Sequence, residues 1–122
     1  MPVLRIVAVL HALSLIIGES IRSFGQGRPA AFWLDDMLMG GFLIAAARAM
    51  RRDTPRNRAA FAAAWGTNAG MLYGSFFGKV FDPARANPGN IELGLLTVLI
   101  GIAFTVSVAG MFAAILLPQS RN

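Results

Sequence analysis

Apolar residues fill four long stretches of this chain, at about 3–24, 30–50, 55–81 and 91–117, and polar residues collect in the short breaks between them. Each stretch reaches the ~20 residues that an α-helix needs to cross the hydrocarbon of a bilayer. The breaks carry turn and cap chemistry. Gly25-Gln26-Gly27-Arg28-Pro29 closes the first stretch, and Pro29 suits the first position of the second helix. In Asp53-Thr54-Pro55, Thr54 can cap free amides while Pro55 sits where a missing N–H does no harm. Pro83 and Asn87-Pro88-Gly89-Asn90 separate the last two stretches, with Pro and Gly in the central places of a type II turn, and Pro118 ends the fourth. The first stretch holds His11 and Glu19 and lacks a small-x-small cleavage site, so it reads as a helix to be kept and not as a leader. The pattern predicts an all-α membrane protein: four transmembrane helices in an up-down bundle, one domain over residues 1–122, with both termini on one side.

Small residues repeat inside two of the spans. Gly66, Gly70, Gly74 and Gly78 recur every four residues. At about 100° per residue they fan over about 120° of the helix, while Asn68, Ser75 and Lys79 fall within about 40° of one another on a different side. In span four, Gly94, Thr97, Gly101 and Thr105 share a face about 80° wide. Stripes of small residues let helix backbones approach closely in lipid, so span three is expected to pack on span four, or on its own copy in a glycine-zipper homo-oligomer.

Composition narrows the chemistry. With 56% hydrophobic and 14% charged residues, the 122-residue chain has room for one bundle. The absence of cysteine removes disulfides, thiolate metal sites and cysteine nucleophiles, and a single histidine removes an intrachain bis-histidine haem or multi-histidine zinc site. No cofactor, metal site or catalytic residue is assigned. The net charge of +5 comes from arginines beside the spans and not from basic residues interleaved with exposed aromatics, so nucleic acid is not the expected partner. Arg48, Arg51, Arg52, Arg56 and Arg58 crowd the break between spans two and three against Asp53 alone. The positive-inside rule places that turn in the cytoplasm, with Met1, Arg5, Arg121 and Asn122 beside it. The expected location is a plasma or inner membrane, with anionic headgroups near Arg51, Arg52, Arg56 and Arg58. Phe24, Phe32 and Trp33 read as an aromatic belt on the outer side, and Met37, Met39 and Met50 as packing.

The polar residues that lie within the apolar stretches are the candidates for function, because an ionisable group facing acyl chains costs at least about 2.5 kcal/mol. Ser14, Gly18, His11, Arg22 and Glu19 trace an arc of about 140° on span one. At the outer end, Glu19, Arg22, Asp35, Asp36, Lys79 and Glu92 form a charged rim, while His11 and Asn68 both fall near the midplane. His11, Glu19, Arg22, Asp35, Asp36, Asn68 and Lys79 are therefore the candidate polar path, whose centre depends on Asn68 meeting His11. Plainer roles stand beside these. Asn90 can cap span four, with Glu92 as a first-turn acid; Asp35 and Asp36 fit the same description if span two starts near Trp33. Glu19 can pair with Arg22 at i+3, and His11 and Asn68 can serve as interhelical hydrogen-bonding groups. Three readings follow: an oligomeric transporter or channel for an ion or small polar solute with an outward-facing vestibule, a non-catalytic accessory subunit docked through its glycines, and a membrane-embedded metal-dependent enzyme.

Overall fold

The computed structural model describes residues 2–27, 30–86 and 88–118, with the side chains of residues 30–33 set aside. Met1, Arg28, Pro29, Asn87 and Arg121, and the rings of Phe32 and Trp33, lie outside the described residues. Among the described residues the protein is all-helical: α1 is Pro2–Ser23, α2 Ala30–Ala49, α3 Pro55–Phe81 and α4 Leu93–Leu116, with a 3₁₀ turn over Pro83–Arg85. Among the described residues, α1 and α4 are long and apolar enough to cross a membrane.

The caps explain where the helices begin. Thr54 has extended backbone and its Oγ1 accepts from Asn57 N at 3.1 Å, with Pro55 following, as that tripeptide predicts. The start of α4 departs from expectation. Glu92 is itself the cap, its two carboxylate oxygens accepting from Gly94 N and Leu95 N at 2.8 and 2.7 Å, so the helix opens at Leu93 and not near Ile91. Those amide donors hold the Glu92 carboxyl below the usual carboxylate range. Asn90, expected to cap α4, instead serves the end of α1. Its Nδ2 donates to the carbonyls of Ile21 and Phe24 at 2.9 and 2.7 Å, its backbone N–H donates to that of Arg22 at 3.1 Å, and its Oδ1 accepts from Gln26 at 2.6 Å.

This contact brings the end of α1 to the start of α4. The opposite ends are tied by arginines. Arg58 makes a two-pronged ion pair with the buried Asp53, at 3.2 and 2.8 Å, and also donates to the carbonyls of Leu117 and Pro118 past the end of α4. Arg5 Nε donates to Ala47 O at 2.7 Å, joining the start of α1 to the end of α2. The four helices therefore alternate in direction. Consecutive helices pack on one another, most extensively α3 on α4 and α1 on α2, and α1 touches α4 only lightly.

The close packing lies in the half of the bundle at the Arg58 end. Its core comprises Ala8 and Ala12 of α1, Leu43, Ala46 and Ala47 of α2, Phe61, Ala64 and Trp65 of α3, and Ala114 of α4, with Met50 just past α2. Trp65 is fully buried, with Phe61 at 6.1 Å between ring centroids. The glycines that make room are not those of the α3 stripe. A Cβ at Gly110 would stand 2.5 Å from the Trp65 ring, one at Gly101 2.7 Å from Phe76, and one at Gly40 2.9 Å from Ile16. By contrast, a Cβ at Gly70, Gly74 or Gly78 would meet nothing within 4 Å, one at Gly66 only Met111 Sδ at 3.3 Å, and one at Gly94 its own capping Glu92. The α3–α4 contact thus sets large α3 side chains against small positions on α4, and Gly70, Gly74 and Gly78 of the α3 stripe face open space.

Two glycine substitutions separate these faces. Gly110→Ala, forced against a buried indole, should destabilise the protein by about 1–3 kcal/mol. Gly78→Ala, with open space and better helix propensity, should be neutral or stabilising by up to about 1 kcal/mol. Denaturant unfolding in detergent checks both, and equal stability of the two variants would contradict the assignment of the packed face.

Candidate functional site

The other half of the bundle holds a cavity of about 820 Å³ where α1 and α4 part. Its wall takes the whole polar arc of α1, namely His11, Ser14, Gly18, Glu19 and Arg22. The arc exists because these positions return to one side of the helix every three or four residues, leaving Leu13, Ile17 and Ile21 exposed elsewhere. Asp35 and Asp36 enter from α2, and Gly74, Ser75 and Lys79 from α3. The α4 wall is apolar, with Leu99, Ile102, Ala103 and Val106 among its residues. Neither Gly18 nor Gly74 would bring a Cβ within 4 Å of another group, so both leave that wall low.

Charge gathers at the end of the cavity nearest the Asn90 turn. Glu19 is 4% exposed; its Oε1 accepts from Ser23 Oγ at 2.7 Å and its Oε2 pairs with Arg22 Nη1 at 3.3 Å. Asp36 lines the same cavity wall as Glu19 and Arg22. Asp35 Oδ1 accepts from the Asp36 N–H at 2.8 Å. Both acids stand beyond the first turn of α2, which opens at Ala30, so they are not the helix-start acids that a beginning near Trp33 would make them. Lys79 is buried, and its Nζ donates to Ser75 Oγ at 2.8 Å and Ser75 O at 3.3 Å.

His11 lies deeper. It is 7% exposed, its Nε2 is 2.9 Å from Ser107 Oγ on α4, and its ring centroid is 5.4 Å from that of Trp65. Either partner can supply the proton of that bond, according to the imidazole tautomer. Asn68 does not join this site. It is fully buried, and its Nδ2 donates to Met39 O on α2 at 3.2 Å and to Ala64 O at 2.8 Å. His11 and Asn68 thus take different partners, on α4 and α2. Asn68 Oδ1 and Trp65 Nε1 are buried without a hydrogen-bond partner among the described residues. No group of three His, Asp or Glu among the described residues is placed to hold a metal ion.

The cavity therefore collects His11, Glu19, Arg22, Asp35, Asp36 and Lys79 of the expected polar path and leaves out Asn68. Three participants escaped the sequence: Ser107, Ser23 and Trp65. Ser107 was signalled by depth alone, since it lies nine residues in from Leu116 as His11 lies nine in from Pro2. Ser23 sits four residues after Glu19, a spacing that puts both on one face.

Ser107→Ala should leave a buried imidazole nitrogen unpaired and destabilise the protein by about 1–3 kcal/mol. Ser20→Ala, which removes an exposed hydroxyl bonded within α1, should change stability by less than about 0.5 kcal/mol. Thermal unfolding in detergent distinguishes the two, and indifference to both would deny His11 its dependence on α4. The chain matches no known protein family, no curated protein and no solved structure in the comparisons made.

Proposed function

We propose that this is an integral membrane protein of four spans that carries a small polar solute, with the cavity as its outward-facing vestibule and protons held on its wall. The observation that carries this reading is the convergence of polar groups from three helices on one cavity whose remaining wall is apolar. Its volume of about 820 Å³ lies within the range of about 300–1,000 Å³ typical of small-molecule sites, which favours an organic solute over a bare ion. Glu19 and Asp36 present carboxyl groups to the solute. Arg22 and Lys79 offset the acids, and His11 handles a proton at the deep end.

Membrane placement is supported by what the helices expose. Val3, Ile6, Leu10, Leu13, Ile17 and Ile21 of α1 and Leu95, Val98, Ile102, Phe112 and Ile115 of α4 are all more than 40% exposed. Their most apolar stretches are only 22% and 17% buried, unlike the core helices of a soluble protein. By the arginine bias, the Arg48–Arg58 turn and both termini face the cytoplasm.

A second reading, an accessory subunit of a larger membrane complex, draws on the open face at Gly70 and Gly78, beside the exposed rings of Tyr73 and Phe81. A second copy or another protein's helix would approach there. Gly78→Leu should then release a co-purifying partner or dissociate a homo-oligomer, while transport by an isolated protomer would remove this reading.

Since the chain has no cysteine, single cysteines report orientation directly. Arg52→Cys should react with an impermeant maleimide only after cells are permeabilised, and Ala84→Cys in intact cells. The reverse pattern would invert the topology. For transport, proteoliposomes containing a pH-sensitive dye are challenged with small amines, amino acids and organic acids. Glu19→Gln and His11→Ala should reduce solute-driven pH change to that of empty liposomes while eluting from a sizing column like the wild type. Undiminished signals from both would exclude the cavity as the route.

A further inference from the structure

At the opposite end from the charged vestibule, α1 and α2 enclose a second groove of about 450 Å³ that the transport reading does not use. Its floor is apolar, built from residues such as Ile6 and Val9 of α1 and Ile44 of α2, and its rim carries Arg5, Arg48 and Arg51. Ile6 is 61% exposed, so the floor opens outward on the flank of the bundle. The rim is organised. Arg5 is half-buried and fixed through its Nε to Ala47 O, which leaves both of its terminal nitrogens to donate elsewhere. The Arg48 side chain is exposed and makes no hydrogen bond or ion pair with any described residue. Among the described residues no carboxylate lines the groove.

We infer that this groove is a binding site for an anionic phospholipid, its phosphate held by Arg5, Arg48 and Arg51 and the start of an acyl chain lying on Ile6, Val9 and Ile44. The inference rests on the membrane placement proposed above, though not on transport. Two features select this occupant. Guanidinium groups bind phosphate through paired donors, and the terminal nitrogens of Arg5 and the exposed head of Arg48 stand on a rim that no described carboxylate lines. An apolar floor running down the helix flank from that charge matches a molecule with a phosphate head and a hydrocarbon tail, whereas a soluble anion has no use for the floor. The arginine bias also turns this end toward the cytoplasmic leaflet, where anionic lipids reside. A general attraction between basic loops and headgroups would engage Arg52 and Arg56 of the same turn equally; neither lines the groove.

The test uses the full chain in a neutral detergent, titrated with phosphatidylglycerol, phosphatidylcholine or inorganic phosphate and read by native mass spectrometry. The wild type should retain phosphatidylglycerol several-fold more than phosphatidylcholine. Arg48→Gln/Arg51→Gln should abolish that preference, and Arg52→Gln/Arg56→Gln should preserve it. Ile44→Trp, which fills the groove and keeps every charge, should also lower retention. Equal retention of the two lipids, equal loss from both arginine pairs, or displacement of phosphatidylglycerol by inorganic phosphate would overturn the site. Reconstitution into phosphatidylcholine vesicles separates the two levels of the argument: a chain that inserts but shows no lipid preference refutes the groove alone, and one that stays in the aqueous phase refutes the membrane placement with it.

Discussion

The fit of Trp65 against Gly110 is the contact around which the bundle is arranged. The indole is fully buried, and the space it fills exists because position 110 has no side chain. Under the membrane placement proposed above, lipid offers no hydrophobic drive to bring helices together, so shape of this kind, with interhelical hydrogen bonds, supplies the association. The same ring backs His11, whose other contact is Ser107 on α4. Below this layer the side chains interlock; above it α1 and α4 separate and the cavity begins. The histidine thus marks the boundary between a packed half and an open half.

Many hydroxyls are satisfied within their own helices. Ser14, Ser20, Thr67, Thr97 and Thr105 return their hydroxyls to carbonyls of their own helices three or four residues back. Such groups are silent and need no partner helix. Arg58, read as one of several topology-setting cations, is turned inward to Asp53 and the last carbonyls of α4, where it closes the basic end of the bundle. The groups that remain for chemistry are those whose partners lie on other helices or in the cavity.

Helix number and the polar arc of α1 were legible because both depend on spacing along one segment: the breaks at Thr54 and Gly89 interrupt backbone hydrogen bonding locally, and the arc follows from helical pitch. The glycine stripe of α3 was legible in part: α3 does pack on α4, as expected, but mainly away from the stripe. Its periodicity identifies a smooth face but says nothing about whether a neighbour occupies it, and in this chain the neighbour meets Trp65 and Phe76 on another side. Asn68 takes the plainer of its two expected roles, an interhelical hydrogen bond. Equal depth with His11 is a one-dimensional coincidence, and rotation about the helix sends its amide to Met39 on α2. Asn90 was assigned to the helix that follows it in sequence, yet its hydrogen bonds go to α1, a long-range choice that local cap rules do not contain.

That choice gives the turn at Gly89 an unexpected reach. Gly89 has φ +64°, and any side chain there would run into the carbonyl of Arg22. The absence of one methyl group thus lets the loop lie against the last turn of α1, where Asn90 secures the backbone on either side of Arg22. Arg22 is the cation paired with Glu19. The placing of Arg22 at the mouth of the cavity is therefore set partly by a loop that contributes no charge to it, and any side chain at position 89 would push on the backbone that carries that cation.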